Sequence, residues 1–443
     1  MAKKKQIELT IEEKLRNALV PKEEQPYKIP SNWCWTYIHN IAIVVTGKTP
    51  SKKNKEYYGG KFPFFKPADL DAGRNMQYAT EYLSEKGKSI SVIIPEKSTG
   101  ICCIGTIGKC GYFLVEGTTN QQINTVISKI NPLYSYYFFN TNSFVRELIS
   151  KASATTIAIV NKSKLESCLF SVAPLNEQQR IVNRIESLFA KLDRAKELIE
   201  NTLAQFEENK MAILHKAFTG ELTVKWRKKN NIDLSSWKKY ELKEVFKVVK
   251  DKYNPQIENQ IVNYIGLENI ETSKGIINKN NSSEVKSIKT KFKKDDVLYG
   301  KLRPYLNKHD VVNFDGICST DILVFRFDNI NTAKYINYYF NLPMFIQYAV
   351  ENSSGINLPR VSEKTISKYK ISLPIIEEQQ EIVNILDNLL AKYNKIKNLE
   401  QQLEKIELLK KAILAKAFRG ELGTNNPDEE SAENLLKEIL AEK

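Results

Sequence analysis

Between Pro174 and Leu222, and again between Pro374 and Leu422, apolar residues recur at steps of three and four. Neither stretch contains a glycine or proline until Gly-Glu-Leu closes it. That spacing predicts one long amphipathic helix per stretch. At ~1.5 Å per residue, a helix of ~40 residues reaches roughly 60 Å and cannot bury its own apolar stripe. The stripe runs through Ile181, Ile185, Leu188 and Leu192 in the first copy and Ile382, Leu386, Leu389 and Tyr393 in the second. These eight residues are expected to form the seam of an antiparallel coiled coil. The competing expectation is that each helix packs on its own domain or on a partner protein.

Outside the helices the pattern changes to short strand-like runs, glycine turns and Tyr/Phe clusters. It divides the chain into an N-terminal helix and connector (1–30), a first globular domain (31–173), the first long helix (174–222) and a basic polar linker (223–234). A second globular domain (235–373), the second long helix (374–422) and an acidic tail with a short helix (423–443) follow. The aromatic run from Tyr134 to Asn140 is matched by Tyr335 to Asn341, Phe144 by Phe345, and Phe64–Leu70 by Tyr264–Ile270. A period near 200 residues means duplication of a domain-plus-helix unit, not a solenoid. The predicted fold is α+β, with two mixed α/β domains separated by two long antiparallel helices and a pseudo-twofold internal repeat. One residue is missing within the second helix: Ala195 corresponds to Ile396, whereas Leu203 corresponds to Leu403.

The 42% apolar share excludes a disordered chain, and the net charge of +14 favours a polyanionic partner. No apolar run is long enough to span a bilayer, and the basic N-terminus lacks a signal core, so a cytoplasmic protein without a membrane role is expected. The six cysteines show no metal-ligand spacing.

A search for catalytic chemistry finds none. Gly105 to Lys109 resembles a phosphate loop, but Cys110 stands where the magnesium-binding hydroxyl belongs, and a turn between strands is the better reading. Asn131-Pro132-Leu133-Tyr134 lacks the second proline of an adenine-methyltransferase motif and reads as a helix start. The histidines His39, His215 and His309 are dispersed, so no metal site or His-based triad is expected.

What remains is a duplicated set of basic and amide-bearing loops. In the first half these carry Lys48, Thr49, Lys52, Lys53 and Tyr57, then Lys66, Lys109, Asn120 and Gln121. In the second they carry Lys252 and Tyr253, then Lys301, Arg303, Tyr305, Asn307 and Lys308, then Ser354, Asn357 and Arg360. Lysine and arginine suit phosphates and guanine edges, and amides suit adenine edges, so these residues are the candidate DNA contacts. A coiled-coil adaptor without nucleic-acid binding is the alternative, and RNA binding is a third.

The Gly47–Tyr58 loop, the Gly300–Lys308 run followed by Asp315–Asp321, and both Glu-Gln-Gln helix starts with their Lys-Ala-Phe-x-Gly-Glu-Leu ends resemble the specificity subunit of type I restriction–modification systems. The resemblance covers nearly the whole chain. It implies two target-recognition domains, each reading half of a split double-stranded DNA site. It also implies a helix pair that sets the gap and docks two adenine-N6 methyltransferase subunits, with motor–nuclease subunits joining them. No cofactor is expected in this chain: S-adenosylmethionine, ATP and magnesium would belong to those partners. The family's circular arrangement suggests that residues 1–30 and the acidic tail pack near each other. The first domain has no evident counterpart of Arg303-Pro304-Tyr305, so the two half-sites are expected to differ.

Overall fold

The computed structural model describes residues 9–153, 158–258, 260–272, 274–394 and 397–442, with the side chains of 390 and 392–398 excepted. The chain divides into two units, Met1–Leu198 with Gln401–Lys443, and Ile199–Glu400. Among the described residues no helix is long and apolar enough to cross a membrane.

In the first unit, four antiparallel strands lie in the spatial order Ala42–Thr46, Ile123–Ser128, Thr99–Cys102, Cys110–Tyr112. A second sheet holds Glu81–Leu83, Tyr58–Phe65 and Thr118–Thr119, the last pair parallel. The strand Cys34–Tyr37, which opens the domain, pairs with Leu169–Val172, which closes it. Helices Pro132–Phe139 and Asn142–Ser150 cover the core. The Asn131 side chain accepts hydrogen bonds from the amides of Leu133 and Tyr134, so Asn-Pro here is a helix cap.

The second unit repeats this plan. Its antiparallel sheet runs Lys247–Val248, Ile322–Arg326, Val297–Gly300, His309–Val311. A five-stranded sheet contains the parallel pair Asn263–Ile265 and Gly316–Cys318, the counterpart of the parallel pair in the first unit. Lys238–Glu241 and Lys370–Leu373 close the domain, and Ile330–Tyr339 with Pro343–Glu351 repeats the helix pair.

The first long helix runs unbroken over Leu175–Phe218, within the span its periodicity predicts. The second is described as Ile376–Asn394 and Lys397–Ala417. The missing residue falls between Ile396 and Leu403, and Ile396 lies outside the described residues. In the first unit Lys410 Nζ donates to Asp193 Oδ1 at 2.5 Å, and Lys196 pairs with Glu407 at 3.5 Å. Three residues forward on one helix match three back on the other, so the segments are antiparallel.

The stripe packs differently from a seam formed by the two helix openings. Ile181 and Ile185 are buried in one core with Tyr134, Phe138, Leu414, Ala417 and Phe418. Ile382 and Leu386 are buried with Tyr335, Leu214 and Ala217. Each opening segment is therefore closed by its own globular domain together with the closing segment of the other long helix. Two aromatic pairs show this: Tyr134 meets Phe418 at 5.0 Å between ring centroids, and Tyr335 meets Phe218 at 5.0 Å. Leu188, Leu192 and Leu389, beyond those cores, are half-buried. Tyr393 lies outside the residues whose side chains are described.

The Glu-Gln-Gln motif that opens each helix joins helix to domain. Trp33 Nε1 donates to Glu177 Oε2 at 2.7 Å, and Trp237 Nε1 donates to Glu378 Oε2 at 2.9 Å. The following glutamine is buried in both copies. Its amide donates to the carbonyl of Ala173 or Pro374, and its oxygen accepts from the Asn131 amide or the Thr332 hydroxyl. The second glutamine, exposed as Gln179 and half-buried as Gln380, donates one turn ahead, to Asn183 or Asn384. Buried polar groups need such partners, which is why the motif is polar where a core would otherwise be apolar.

The segment 223–234, expected as a polar linker, is folded instead. Thr223 is buried, Val224–Lys229 is helical, and Arg227 turns inward. The cause is a buried carboxylate: Arg227 Nη1 lies 2.6 Å from Glu378 Oε1, while Nη2 donates to the Gly220 carbonyl at 2.6 Å. Gly220 itself caps the helix at φ +82°, where a Cβ would stand 2.5 Å from Leu234 Cδ1. In the first unit the acidic tail takes the equivalent place. Asn425 donates to Glu177 Oε2 at 2.9 Å, and Arg180 binds both oxygens of Glu429 at 2.7 and 2.8 Å. The tail helix Ala432–Ala441 then packs on Ile11–Ala18, with Lys437 2.9 Å from Glu12.

Candidate nucleic-acid interface

The loop between strands Val297–Gly300 and His309–Val311 holds two residues in the left-handed region, Arg303 at φ +52° and Asn307 at φ +43°. They flank the turn Pro304–Leu306. Asparagine adopts this conformation readily, whereas arginine in it costs roughly 1–2 kcal/mol. The surroundings enforce it. The Arg303 amide donates to the Pro359 carbonyl at 2.7 Å, the Leu306 amide to Arg303 O at 2.8 Å, and the Thr272 hydroxyl to Leu306 O at 2.8 Å. Arg303 and Tyr305 are exposed at the top of this braced turn.

Beneath them the loop rests on a buried polar set. Asn307 Nδ2 donates to the Phe340 carbonyl at 3.0 Å and faces His309 Nε2 at 3.0 Å; His309 Nδ1 lies 2.6 Å from Asn337 Oδ1. This network assigns the proton to Nδ1, leaving Nε2 to accept. Burial pulls the His309 pKa down to about 4, so the ring is neutral near pH 7.

A second loop abuts the first. Ser354 and Arg360 exchange both backbone hydrogen bonds, at 2.9 and 2.8 Å, and the Val361 amide donates to Lys301 O at 3.0 Å. Arg360 Nε lies 3.3 Å from Asp321 Oδ1. Ser354, Asn357 and Arg360 are exposed, and so are Ile356 and Leu358, which residue-type reasoning passed over.

The first unit joins the bases of two loops in the same way. Ser153 bridges Ile159, and Ile159 bridges Ile104, as Ser354 bridges Arg360 and Arg360 bridges Leu302. Gly105 to Lys109 is therefore the structural counterpart of Arg303 to Lys308. The expectation that no counterpart exists is corrected: the loop is present, but the guanidinium is not. Gly105 and Gly108, at φ +84° and +89°, bracket this loop as the left-handed Arg303 and Asn307 bracket the second, with one residue fewer between them. Glycine adopts that conformation without strain. The signal in the sequence is the glycine directly before Lys109, where Asn307 stands directly before Lys308; the first-unit loop is one residue shorter, which hides the match of Gly105 to Arg303.

Elsewhere in the first unit, Lys48, Lys52 and Lys53 are exposed on the loop after Ala42–Thr46, with Thr49 bonded to the exposed Gln121 and Tyr57 half-buried in the turn Lys55–Tyr57. Gly47 is required there, since a Cβ would stand 2.2 Å from Thr119 Oγ1. Lys252 is exposed and donates to Thr290 Oγ1 at 3.2 Å.

Several candidate contacts are occupied within the fold. Tyr253 is buried, its hydroxyl donating to the carbonyls of Glu258 and Gln260. Asn307 is committed to the interior as described, and Asn120 is buried and bonded to Gln122. Lys66 pairs with Glu81, Lys109 pairs with Asp71 at 2.6 Å, and Lys308 donates to the Leu267 carbonyl at 2.7 Å. Lys301 is half-buried at the loop base. The exposed set therefore narrows to Lys48, Lys52, Lys53 and Gln121 in one unit and to Lys252, Arg303, Tyr305, Ser354, Asn357 and Arg360 in the other. Among the described residues no cluster of three or more His, Cys, Asp or Glu could hold a metal ion.

Comparison with known proteins places this architecture. The chain is 25% identical to the type I restriction enzyme EcoDI specificity subunit of Escherichia coli, over 94% of this chain and 96% of that one. It is 26% identical to the EcoKI specificity subunit of Escherichia coli strain K12, with the same coverage. It is 25% identical to the MjaIX specificity subunit of Methanocaldococcus jannaschii, over 90% and 96%. In fold it is similar to a chain from a study of complex assembly and conformational transition in the type I R-M system (TM-score 0.69, 17% identity, covering 89% of this chain and 100% of that one). It is also similar to the HsdS subunit of Thermoanaerobacter tengcongensis (TM-score 0.56, 18% identity, 90% and 99%). The model of the type I restriction modification DNA specificity domain matches twice, at residues 30–205 and 235–408, each match taking in one globular domain and most of its long helix. The chain belongs to the type I restriction–modification DNA specificity family.

Proposed function

We propose that this chain is the non-catalytic DNA-recognition subunit of a type I restriction–modification complex. Each domain reads one half of an asymmetric split site in double-stranded DNA, and the long helices set the gap and dock two adenine-N6 methyltransferase subunits. Motor–nuclease subunits complete the complex in the cytoplasm. S-adenosylmethionine, ATP and magnesium chemistry resides on those partners. The observation that carries the reading is the pair of matching loops in the two units. At the left-handed residues that bracket the loop one unit uses glycines and the other an exposed arginine held against its backbone preference. Strain kept at an exposed cation is expected of a recognition site. The difference between the loops supports different half-sites.

The experiment pairs Arg303→Glu with Arg360→Glu in the assembled methyltransferase. Reading of DNA predicts weaker, less selective duplex binding with partner assembly intact. An adaptor that does not touch nucleic acid predicts no duplex affinity in either protein. Equal binding of the unaltered complex to every duplex removes the sequence-reading role. RNA outcompeting DNA removes the choice of duplex.

A further inference from the structure

The second unit carries an apolar tip that the family assignment does not explain. Ile356 is 101% exposed, as open as an isoleucine can be, and Leu358 beside it is 45% exposed. Solvent disfavours such a side chain by the full value of its transfer free energy, and the fold recovers none of it. Yet the segment that presents it is braced. The reciprocal Ser354–Arg360 backbone bonds close the loop at its base, Gly355 turns it at φ +100°, and the Pro359 carbonyl accepts from the Arg303 amide at 2.7 Å. The result is a short finger with an apolar end. Its flanks carry two exposed guanidinium groups, Arg303 and Arg360, the second 3.3 Å from Asp321 Oδ1.

We infer that Ile356 contacts the base pairs of the second half-site directly, by apolar contact, while the arginines beside it engage phosphates or base edges. This rests on the DNA-reading function proposed above. A cationic collar around an apolar tip matches a duplex groove. Phosphates line its rim, and its floor offers thymine methyls and base edges that apolar side chains can cover. An apolar protein surface would not call for the collar. In the first copy Ser153 bridges Ile159, six residues apart as Ser354 and Arg360 are in the second, and residues 154–157 lie outside the described residues. Counting from Ser153, the residue matching Ile356 is Thr155. The second half-site would thus be read with an apolar contact at a position where the first copy has a hydroxyl-bearing residue.

The test uses the full chain assembled with its methyltransferase subunits and a pool of random-sequence duplexes, sequenced before and after capture. Ile356→Asn is the variant, since a side chain that open contributes nothing to the fold and its melting temperature should be unchanged. Relaxed preference confined to the second half-site is expected, with roughly tenfold weaker binding to the duplex that the unaltered chain selects. The slope of log K against log salt should not move, because no counterion is released at an apolar contact. Arg303→Ala should lower that slope by about one if it contacts a phosphate. Ile356→Val should retain the preference. An unchanged selected sequence and affinity with Ile356→Asn overturns the inference alone. Weakened subunit assembly with an unchanged sequence reassigns the finger to a protein partner and also overturns it. If the unaltered complex selects no sequence, the functional reading falls and the inference with it.

Discussion

Arg227 Nη1 and Glu378 Oε1 lie 2.6 Å apart with their side chains 8% and 0% exposed. Glu378 also accepts from Thr223 and Trp237, so the pair joins the end of one long helix, the start of the other and the first residues of the second domain. Removing the cation leaves a buried carboxylate with only neutral donors. Arg227→Ala is expected to destabilise the second unit by about 3–5 kcal/mol, read as a lower midpoint in chemical denaturation. The first unit meets the same need without a cation on its glutamate, through Trp33, Thr424 and Asn425. Asn425→Ala should therefore cost only ~1 kcal/mol. Equal costs at the two junctions would show that Arg227 is not the dominant partner.

Arg303 offers a sharper test because stability and recognition should move in opposite directions. Arg303→Gly relieves a left-handed arginine, as Gly105 does in the first unit. It is expected to raise unfolding free energy by about 1 kcal/mol while weakening binding to the selected duplex by ~1–3 kcal/mol. Thermal melting and duplex titration measure the two effects separately. A variant that loses stability would show that the guanidinium itself holds the loop.

His309 makes the second unit sensitive to acid. Its folded pKa of about 4 lies below the ordinary 6.5, so the unfolded chain takes up a proton first as pH falls. The stability of the buried neutral ring is complete above pH 6.5 and is lost progressively toward pH 4, with ~2 kcal/mol gone by pH 5. Asp310 pulls the other way, because burial raises its carboxyl pKa. The comparison is therefore between the unaltered chain and His309→Gln. The drop in denaturation midpoint from pH 7 to pH 5 should be smaller in the variant. Equal drops would place the acid sensitivity elsewhere.

The long helices and the duplication were legible because they rest on local periodicity and on motifs that repeat. The Glu-Gln-Gln starts could be recognised but not interpreted, since their partners Trp33 and Trp237 lie more than a hundred residues away. Residues 223–234 read as a solvent-exposed linker for the same reason. Arg227 looks solvent-bound until Glu378, 151 residues on, is placed beside it. Loop contacts were the least legible. Tyr253, Asn307 and Asn120 have the chemistry of DNA contacts but face inward, and Ile356 has the chemistry of a core residue but faces out. Residue type states what a side chain could do, and only tertiary placement decides what it meets.

The helix stripe divides into closed and half-closed positions, and substitution should separate them. Ile185 is fully buried, so Ile185→Asp places an unpaired carboxylate in the first core at an expected cost of about 3–5 kcal/mol. Leu188 is half-buried, so Leu188→Asp can keep its charge hydrated and should cost ~1 kcal/mol. Denaturant midpoints that fall equally would mean that Leu188 is as closed as Ile185.

If the helices set the gap between half-sites, lengthening both should lengthen the gap without changing the bases read. Four residues are close to the 3.6 of one turn, so inserting four near Asn201 and four near Gln402 keeps each apolar stripe on nearly the same face. The insertion adds ~6 Å at 1.5 Å per residue. Against 3.4 Å per base pair, that is about two base pairs. Selection from random duplexes should then return the same half-sites with a spacer longer by about two. Altered half-site bases at an unchanged spacer would assign the gap to the domains and leave the helices as a platform for the partner subunits alone.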